Sequence, residues 1–91
     1  MAFRFKRGIR VSYKRQGYIH FLMLNLASLP GEKRQRLQRL CRDVGGEYSE
    51  ALWEMVTTDA GYVDVSMRHH VSQATLFRCV KRFYESFPEE L

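Results

Sequence analysis

The sequence predicts an all-α protein, a bundle of about four to five helices that follows a basic N-terminal extension. After residue 16, apolar residues recur over most of the chain at the three- and four-residue spacing of a helix. Gly and Pro fall between these segments, at Pro30-Gly31, Gly45-Gly46 and Gly61, where they mark helix ends. Because 91 residues suffice for one modest core, we divide the chain into an extension over 1–16 and one helical domain over 17–91.

Charge is unevenly distributed along the chain, which carries a formal net charge of +5 at pH 7. Residues 1–16 hold six bases and no acids, and residues 67–82 hold four bases and no acids. Residues 46–66 hold five acids and no bases. A basic excess attracts nucleic acid or an anionic surface. We therefore expect at least one basic surface, with the acidic residues behind it and away from any phosphate.

The first sixteen residues alternate apolar and basic side chains, which is the period of a β-strand, with a break at Arg7-Gly8. The pattern predicts either a short β-hairpin packed on the helices or a basic arm that becomes ordered on nucleic acid. A solvated, partly disordered terminus is the third interpretation. The arm would offer these cations to phosphates: Arg4, Lys6, Arg7, Arg10, Lys14 and Arg15.

Residues 17–29 predict a helix that is apolar almost all the way round. They are too few for a membrane span, which needs about 20 residues, and a signal peptide here would remove the most hydrophobic helix of the chain. A helix of this kind must be covered on every side. Phe21 and Leu24 point away from the expected core side, so they predict a homodimer interface, unless the N-terminal extension folds back over them.

Two amphipathic helices are predicted next. Ser28 is the expected cap of the first, Pro30 lies in its first turn, and Gly45-Gly46 ends it. Its apolar residues are Leu37, Leu40, Cys41 and Val44, and its exposed bases are Lys33, Arg34, Arg36, Arg39 and Arg42. The spacing over residues 47–57 predicts a core helix, with Trp53 at its rim or on a partner surface.

The stretch from Tyr62 to Phe83 predicts two short helices joined by a tight turn. The first is too short to be stable alone, so its Val63, Val65 and Met67 need the second helix to cover them. Ser72 is the expected N-cap of the second helix. One face of that helix is apolar, with Leu76, Cys79, Val80, Phe83 and Phe87, and the opposite face carries Ala74, Thr75, Arg78, Lys81 and Arg82.

The segment HVSQATLFRCVKRF resembles the turn and recognition helix of bacterial helix-turn-helix proteins. His70 stands where these proteins usually have Gly, and Ser66 stands where they usually have a small Ala. The order LPGEKRQRLQRL, then GGEYSEALWEMV, then this segment is similar to the fourth region of bacterial sigma factors and to small regulators of phages and mobile elements. The resemblance implies a cytoplasmic transcription regulator that binds duplex DNA.

In proteins of this type the N-terminal end of the second helix meets base edges in the major groove. This predicts that Gln73, Thr75 and Arg78 read bases, since Gln bridges adenine, Arg bridges guanine and Thr contacts a thymine methyl. Phosphates would be held by Arg68, His70, Ser72, Lys81 and Arg82.

The sequence offers no catalytic, metal or cofactor site. Its His and Cys residues lack the paired spacing of a zinc site, and Cys41 and Cys79 fit buried, reduced thiols. One alternative function is a phage or mobile-element protein that binds a host protein, such as RNA polymerase or a nuclease complex, for which Phe21, Leu24 and Trp53 would form one apolar patch. A weaker alternative is non-specific RNA or DNA packaging by the aromatic, basic arm.

Overall fold

The computed structural model describes residues 5–91, and within that range it contains five α-helices and no β-strand. The helices are α1 (Tyr13–Leu24), α2 (Gly31–Gly45), α3 (Ser49–Thr57), α4 (Tyr62–His69) and α5 (Gln73–Glu85). Short 3-10 turns, Leu26–Ser28 and Gly46–Tyr48, precede α2 and α3. The predicted all-α class is therefore confirmed.

The short helix α3 lies at the centre of the bundle and contacts each of the other four helices. Ala51, Leu52 and Val56 are buried along it, as their spacing predicts. The main core around α3 also contains Ile19 and Met23 of α1, Leu37 and Cys41 of α2, and Cys79, Val80, Phe83 and Tyr84 of α5. This core holds α5 by one face, which leaves the other face for contacts outside the molecule.

The N-terminal segment, residues 5–12, forms no β-hairpin. Its backbone groups bond to a side chain instead of a second strand: the fully buried Gln16 accepts from Lys6 N at 2.8 Å and donates to Lys6 O at 3.2 Å and Val11 O at 3.0 Å. Ile9 is buried in the main core. The hairpin predicted for this segment is thus replaced, over residues 5–12, by an irregular strap, and Arg4 lies outside the described residues.

Helix α1 begins earlier and ends earlier than the apolar run 17–29 suggests. The Ser12 side chain caps it by accepting from Arg15 N at 3.2 Å, so the first turn of α1 belongs to the basic extension. Its end is set by Asn25, whose side-chain amide donates to Phe21 O at 2.8 Å.

None of the helices in residues 5–91 combines the length and hydropathy that a bilayer span requires.

Helix α2 starts two positions later than the predicted Ser28 cap. Its N-cap is Pro30, which makes no side-chain hydrogen bond, while the Ser28 hydroxyl donates to Asn25 O at 2.7 Å within the preceding 3-10 turn. The expected stop at the glycine pair is confirmed, because Gly45 ends the helix and Gly46 follows with φ 55°.

Helix α4 buries a different set of residues from the one expected. Val65 is fully buried, but Val63 and Met67 are 54% and 70% exposed. Residues at i, i+2 and i+4 share one face of a strand but not of a helix, where Val63 and Met67 lie on the side opposite Val65, so only Val65 and the small Ser66 point inward.

Candidate nucleic-acid interface

Helices α4 and α5 are joined by a turn of three residues whose first member, His70, is left-handed. Its φ is 55° and its ψ is 45°, and it is the one non-glycine residue with positive φ in residues 5–91. The amide of His70 and the amide of Val71 both donate to Ser66 O, the latter at 3.0 Å. The turn therefore has the backbone geometry that usually selects Gly at the position His70 occupies.

The turn is fixed from inside by Val71, which is buried with Val65 and Leu76 in a second, smaller core. The polar side chain of Ser66 is accommodated beside this core, because its hydroxyl donates a hydrogen bond to Val63 O at 2.9 Å within α4. The small core thus sets how α5 is oriented relative to α4.

Helix α5 starts with the N-cap that the sequence predicts. The Ser72 hydroxyl accepts from Thr75 N at 3.1 Å and donates to Thr75 Oγ1 at 2.9 Å. Arg78 Nη2 donates to the same Thr75 oxygen at 3.3 Å. The first turn of α5 is therefore tied together by side chains, and it presents Thr75 and Arg78 as neighbours.

The outer face of α5 carries the three residues expected to read bases. Gln73 and Arg78 are exposed and Thr75 is half-buried. The same face includes the exposed Ala74 and Arg82 and the half-buried Lys81, while the apolar stripe on the other side is buried as predicted. One surface thus combines bidentate hydrogen-bonding side chains with cations.

Arg68, expected to hold a phosphate, is engaged inside the molecule. Its guanidinium forms an ion pair with Glu54 of α3, and His69 Nε2 lies 2.8 Å from the other oxygen of the same carboxylate. The hydrogen bonds from Arg68 and then His69 hold the pKa of Glu54 below its usual range. The other expected phosphate ligands in this region, His70 and Ser72, are exposed.

Acidic residues lie closer to α5 than the sequence suggests. A groove of about 380 Å³ beside the helix is lined by Asp43 and Glu47 on one side and by Thr75, Arg78 and Arg82 on the other. The acidic stretch 46–66 is therefore not set wholly behind the basic face, since Glu47 flanks it and Glu54 neutralises Arg68. The spacing of acids along the chain gives no signal for this, because the groove forms where the end of α2 and the 3-10 turn Gly46–Tyr48 meet α5.

The strap adds a cation, Arg7, next to α5. Arg7 and Gly8 form a tight turn in which Gly8 has φ 85°, and a Cβ placed on Gly8 would lie 3.6 Å from the ring of Phe77. Arg7 is exposed at the tip of this turn. In the sequence, the break at Arg7-Gly8 indicates this turn. Nothing in the sequence indicates that the turn lies against the middle of α5.

The other arm residues are dispersed over the molecule. Lys6 is half-buried with its amino group 5.8 Å from the centroid of the Tyr84 ring, and burial lowers its pKa. Arg10 N donates to Glu85 Oε2 at 2.8 Å, and Arg15 Nη2 donates to Pro88 O at 2.7 Å. Lys14 is exposed on α1. Among the described arm residues, Arg7 is therefore exposed beside the middle of α5, whereas Lys6 and Arg10 lie against its carboxyl end.

The residues expected to meet a protein partner do not form one patch. Phe21 is 42% exposed and lines a groove on α1, Trp53 is half-buried and lines a separate groove between α2 and α3, and Leu24 is half-buried and lines neither. Phe21 therefore remains the main exposed apolar side chain of the pair predicted for a dimer.

Both cysteines are free thiols in the main core, Cys41 on α2 and Cys79 on α5. Burial raises the pKa of the Cys41 thiol to about 12, and it raises the pKa of Cys79 as well. Within residues 5–91, no cluster of three or more His, Cys, Asp or Glu side chains is placed to hold a metal ion.

The chain was compared with protein-family models, curated proteins and solved structures. No family model, curated protein or solved structure matches it.

Proposed function

We propose that the protein binds duplex DNA in a sequence-specific manner and regulates transcription, with α5 entering the major groove. The observation that supports this most directly is the three-residue turn between α4 and α5, with left-handed His70, which precedes the exposed Gln73 and Arg78 and the half-buried Thr75 at one end of a basic helix face. In DNA-binding helix-turn-helix proteins, a helix pair with such a connection contacts DNA by the first turns of the second helix.

In this proposal Arg78 donates to the O6 and N7 atoms of a guanine, and Gln73 pairs with an adenine. Thr75 holds Arg78 in position through the 3.3 Å hydrogen bond and offers its methyl group to a thymine. The bond also restrains the Arg78 side chain before DNA arrives, which lowers the entropy lost on binding.

Phosphates are held around this reading surface by Lys81 and Arg82, by His70, and by the amino-terminal end of α5 near Ser72. Arg68 contributes only when a phosphate displaces Glu54 from its ion pair. Arg7 extends the cationic surface from the strap towards the neighbouring groove of the duplex.

The test is selection of bound sequences from a pool of random duplexes at near-physiological salt, with Arg78→Ala in parallel. Lys33→Ala serves as a charge-matched control, because it removes one exposed cation from α2. Lys33 lies one turn from Arg36, which pairs with Glu90 near the carboxyl end of α5, away from Ser72.

We expect the parent chain and Lys33→Ala to enrich the same motif and Arg78→Ala to lose it. A palindromic motif would indicate the homodimer that the sequence predicts. Retention without enrichment, falling steeply as salt rises, would show that only charge is used and would contradict the proposed function.

A further inference from the structure

The outward face of α1 is an aromatic surface at the edge of the bundle. Tyr18 and Phe21 are 46% and 42% exposed, and together with Tyr13 they border a shallow groove of about 630 Å³. We call this surface the α1 outer face; its lining residues are Tyr13, Lys14, Gly17, Tyr18, Phe21, Leu22 and Asn25. Gly17 lines the groove without a side chain, so the backbone of α1 is open to close approach there.

Residues 5–12 do not lie along this face. They run across α5, where Lys6 approaches Tyr84, Gly8 approaches Phe77 and Arg10 bonds to Glu85. The strap contacts α1 through Gln16, on the buried side of that helix, and through the Phe5 ring, whose centroid lies 6.3 Å from that of Tyr13 at one end. Residues 5–12 therefore leave Tyr18 and Phe21 exposed.

Every charged residue of α1 and of the strap is basic. The first acidic residue of the chain is Glu32, so α1 and the strap before it contain only cations. Lys14 lies in the groove itself, and the Arg15 guanidinium lies 5.4 Å from the centroid of the Tyr18 ring. The groove is thus mainly apolar, with the cation of Lys14 at its border.

We propose that the α1 outer face binds an acidic amphipathic helix of another protein. The apolar side of such a helix would cover Tyr18 and Phe21, and its carboxylates would meet Lys14 and the neighbouring cations. Complementary charge of this kind fixes the orientation of a bound helix and speeds its association, while the aromatic side chains supply most of the affinity.

A second copy of the chain fits this face less well, because two α1 helices placed face to face would bring like charges together. Single-stranded nucleic acid is the other ligand that aromatic side chains and cations can bind. The groove favours an amphipathic helix, since its lining is mainly apolar and includes Lys14 as its one cation, whereas a nucleic acid needs a row of cations for its phosphates.

The probe is a synthetic peptide of about four helical turns with Leu and Trp on one side and Glu on the rest. Fluorescence anisotropy measures its binding to the whole chain, to Tyr18→Ala/Phe21→Ala and to Val63→Ala. Val63 is an exposed apolar residue of α4, which makes that variant a matched control for loss of surface apolar area. A peptide with Lys in place of Glu, a scrambled peptide and oligo(dT) complete the set.

We expect the acidic peptide to bind the parent chain and Val63→Ala alike, and to bind the double variant about 10-fold more weakly or worse. The Arg78→Ala variant should bind the acidic peptide as tightly as the parent chain does, so the result does not depend on DNA recognition. Equal binding by the scrambled peptide, or by the double variant, would overturn it.

Two further results would assign the face to another occupant. Binding of oligo(dT) that the double variant loses, without binding of the peptide, would make the surface a nucleic-acid site. A dimer in sedimentation velocity that Tyr18→Ala/Phe21→Ala abolishes would show that a second copy covers it.

Discussion

At the scale of single residues, the left-handed backbone of His70 limits which side chains the turn accommodates without strain. A side chain with a Cβ costs about 1–2 kcal/mol in the left-handed conformation that His70 adopts, and glycine avoids that cost. The resemblance to helix-turn-helix proteins predicts Gly here, and the backbone dihedrals give the physical reason. Since the ring of His70 is exposed, its removal costs little packing.

We therefore expect His70→Gly to stabilise the fold by about 0.5–1 kcal/mol, because relief of strain exceeds the added entropy of the unfolded chain. The midpoint of urea unfolding measures this. His70→Val is the contrasting variant, since a β-branched side chain tolerates positive φ least. A lower midpoint for His70→Gly would mean that the imidazole makes a stabilising contact.

Arg78 and Lys81 are expected to differ although both are cations on the outer face of α5. Arg78→Ala should weaken binding to the selected DNA site by about 1–3 kcal/mol and leave non-specific binding nearly unchanged. Lys81→Ala should weaken both and reduce the dependence of affinity on salt. Titration of selected and random duplexes at several salt concentrations separates the two, and an equal loss on both duplexes for Arg78→Ala would refute its reading role.

At the scale of elements, the contact between α3 and α4 depends on a carboxylate that the sequence did not single out. Glu54 bonds to Arg68 and His69, residues fourteen and fifteen positions further along the chain. Periodicity places Glu54 on the polar side of α3 but cannot show which helix faces it. That information exists only once α4 is docked by Val65 and Val71.

Because the pKa of Glu54 in the folded chain is below its ordinary value of 4.5, this carboxylate stabilises the fold above that value. The contribution should be lost as pH falls through the lowered pKa. We expect Glu54→Gln to reduce stability at neutral pH and to flatten the decrease in stability on acidification. Unfolding by urea at a series of pH values measures both effects.

Glu50→Gln is the matched control, since it removes one exposed carboxylate from the same helix. An acid dependence that Glu50→Gln and Glu54→Gln change equally would show that net charge, and not the contact with α4, is responsible.

The helices themselves were predictable to different degrees. The start of α5 and its buried stripe follow from Ser72 and the spacing of Leu76, Val80 and Phe83, because helical period and capping are local properties. The strap was not predictable, since its alternation of apolar and basic residues is that of a strand. Over residues 5–12 the side chain of Gln16, and not a second strand, takes the hydrogen bonds of Lys6 and Val11.

At the scale of the whole molecule, the fold depends on a core shared by four helices and the strap. Phe83 is fully buried there, with the rings of Tyr84 and Phe87 at centroid distances of 6.4 Å and 5.8 Å. A domain of this size has a stability of about 5–14 kcal/mol, so the loss of one large core side chain is a considerable fraction of it.

Phe83→Ala should accordingly destabilise the protein by about 3–5 kcal/mol, as the cavity it leaves is only partly filled. Met67→Ala, at a position 70% exposed, should change stability by less than about 0.5 kcal/mol. Thermal and urea unfolding of the two variants test the difference. Similar losses in both would mean that the exposed side of α4 is covered in solution.

The rates at which the two buried thiols are alkylated can report motion between helices. Cys41 and Cys79 lie on α2 and α5, and with the pKa of Cys41 near 12 almost none of its reactive thiolate exists at neutral pH in the folded chain. An alkylating reagent should therefore modify only molecules in which these helices have separated. Labelling at equal rates would show that the bundle opens as one cooperative unit, and faster labelling of Cys79 would reveal that α5 detaches first.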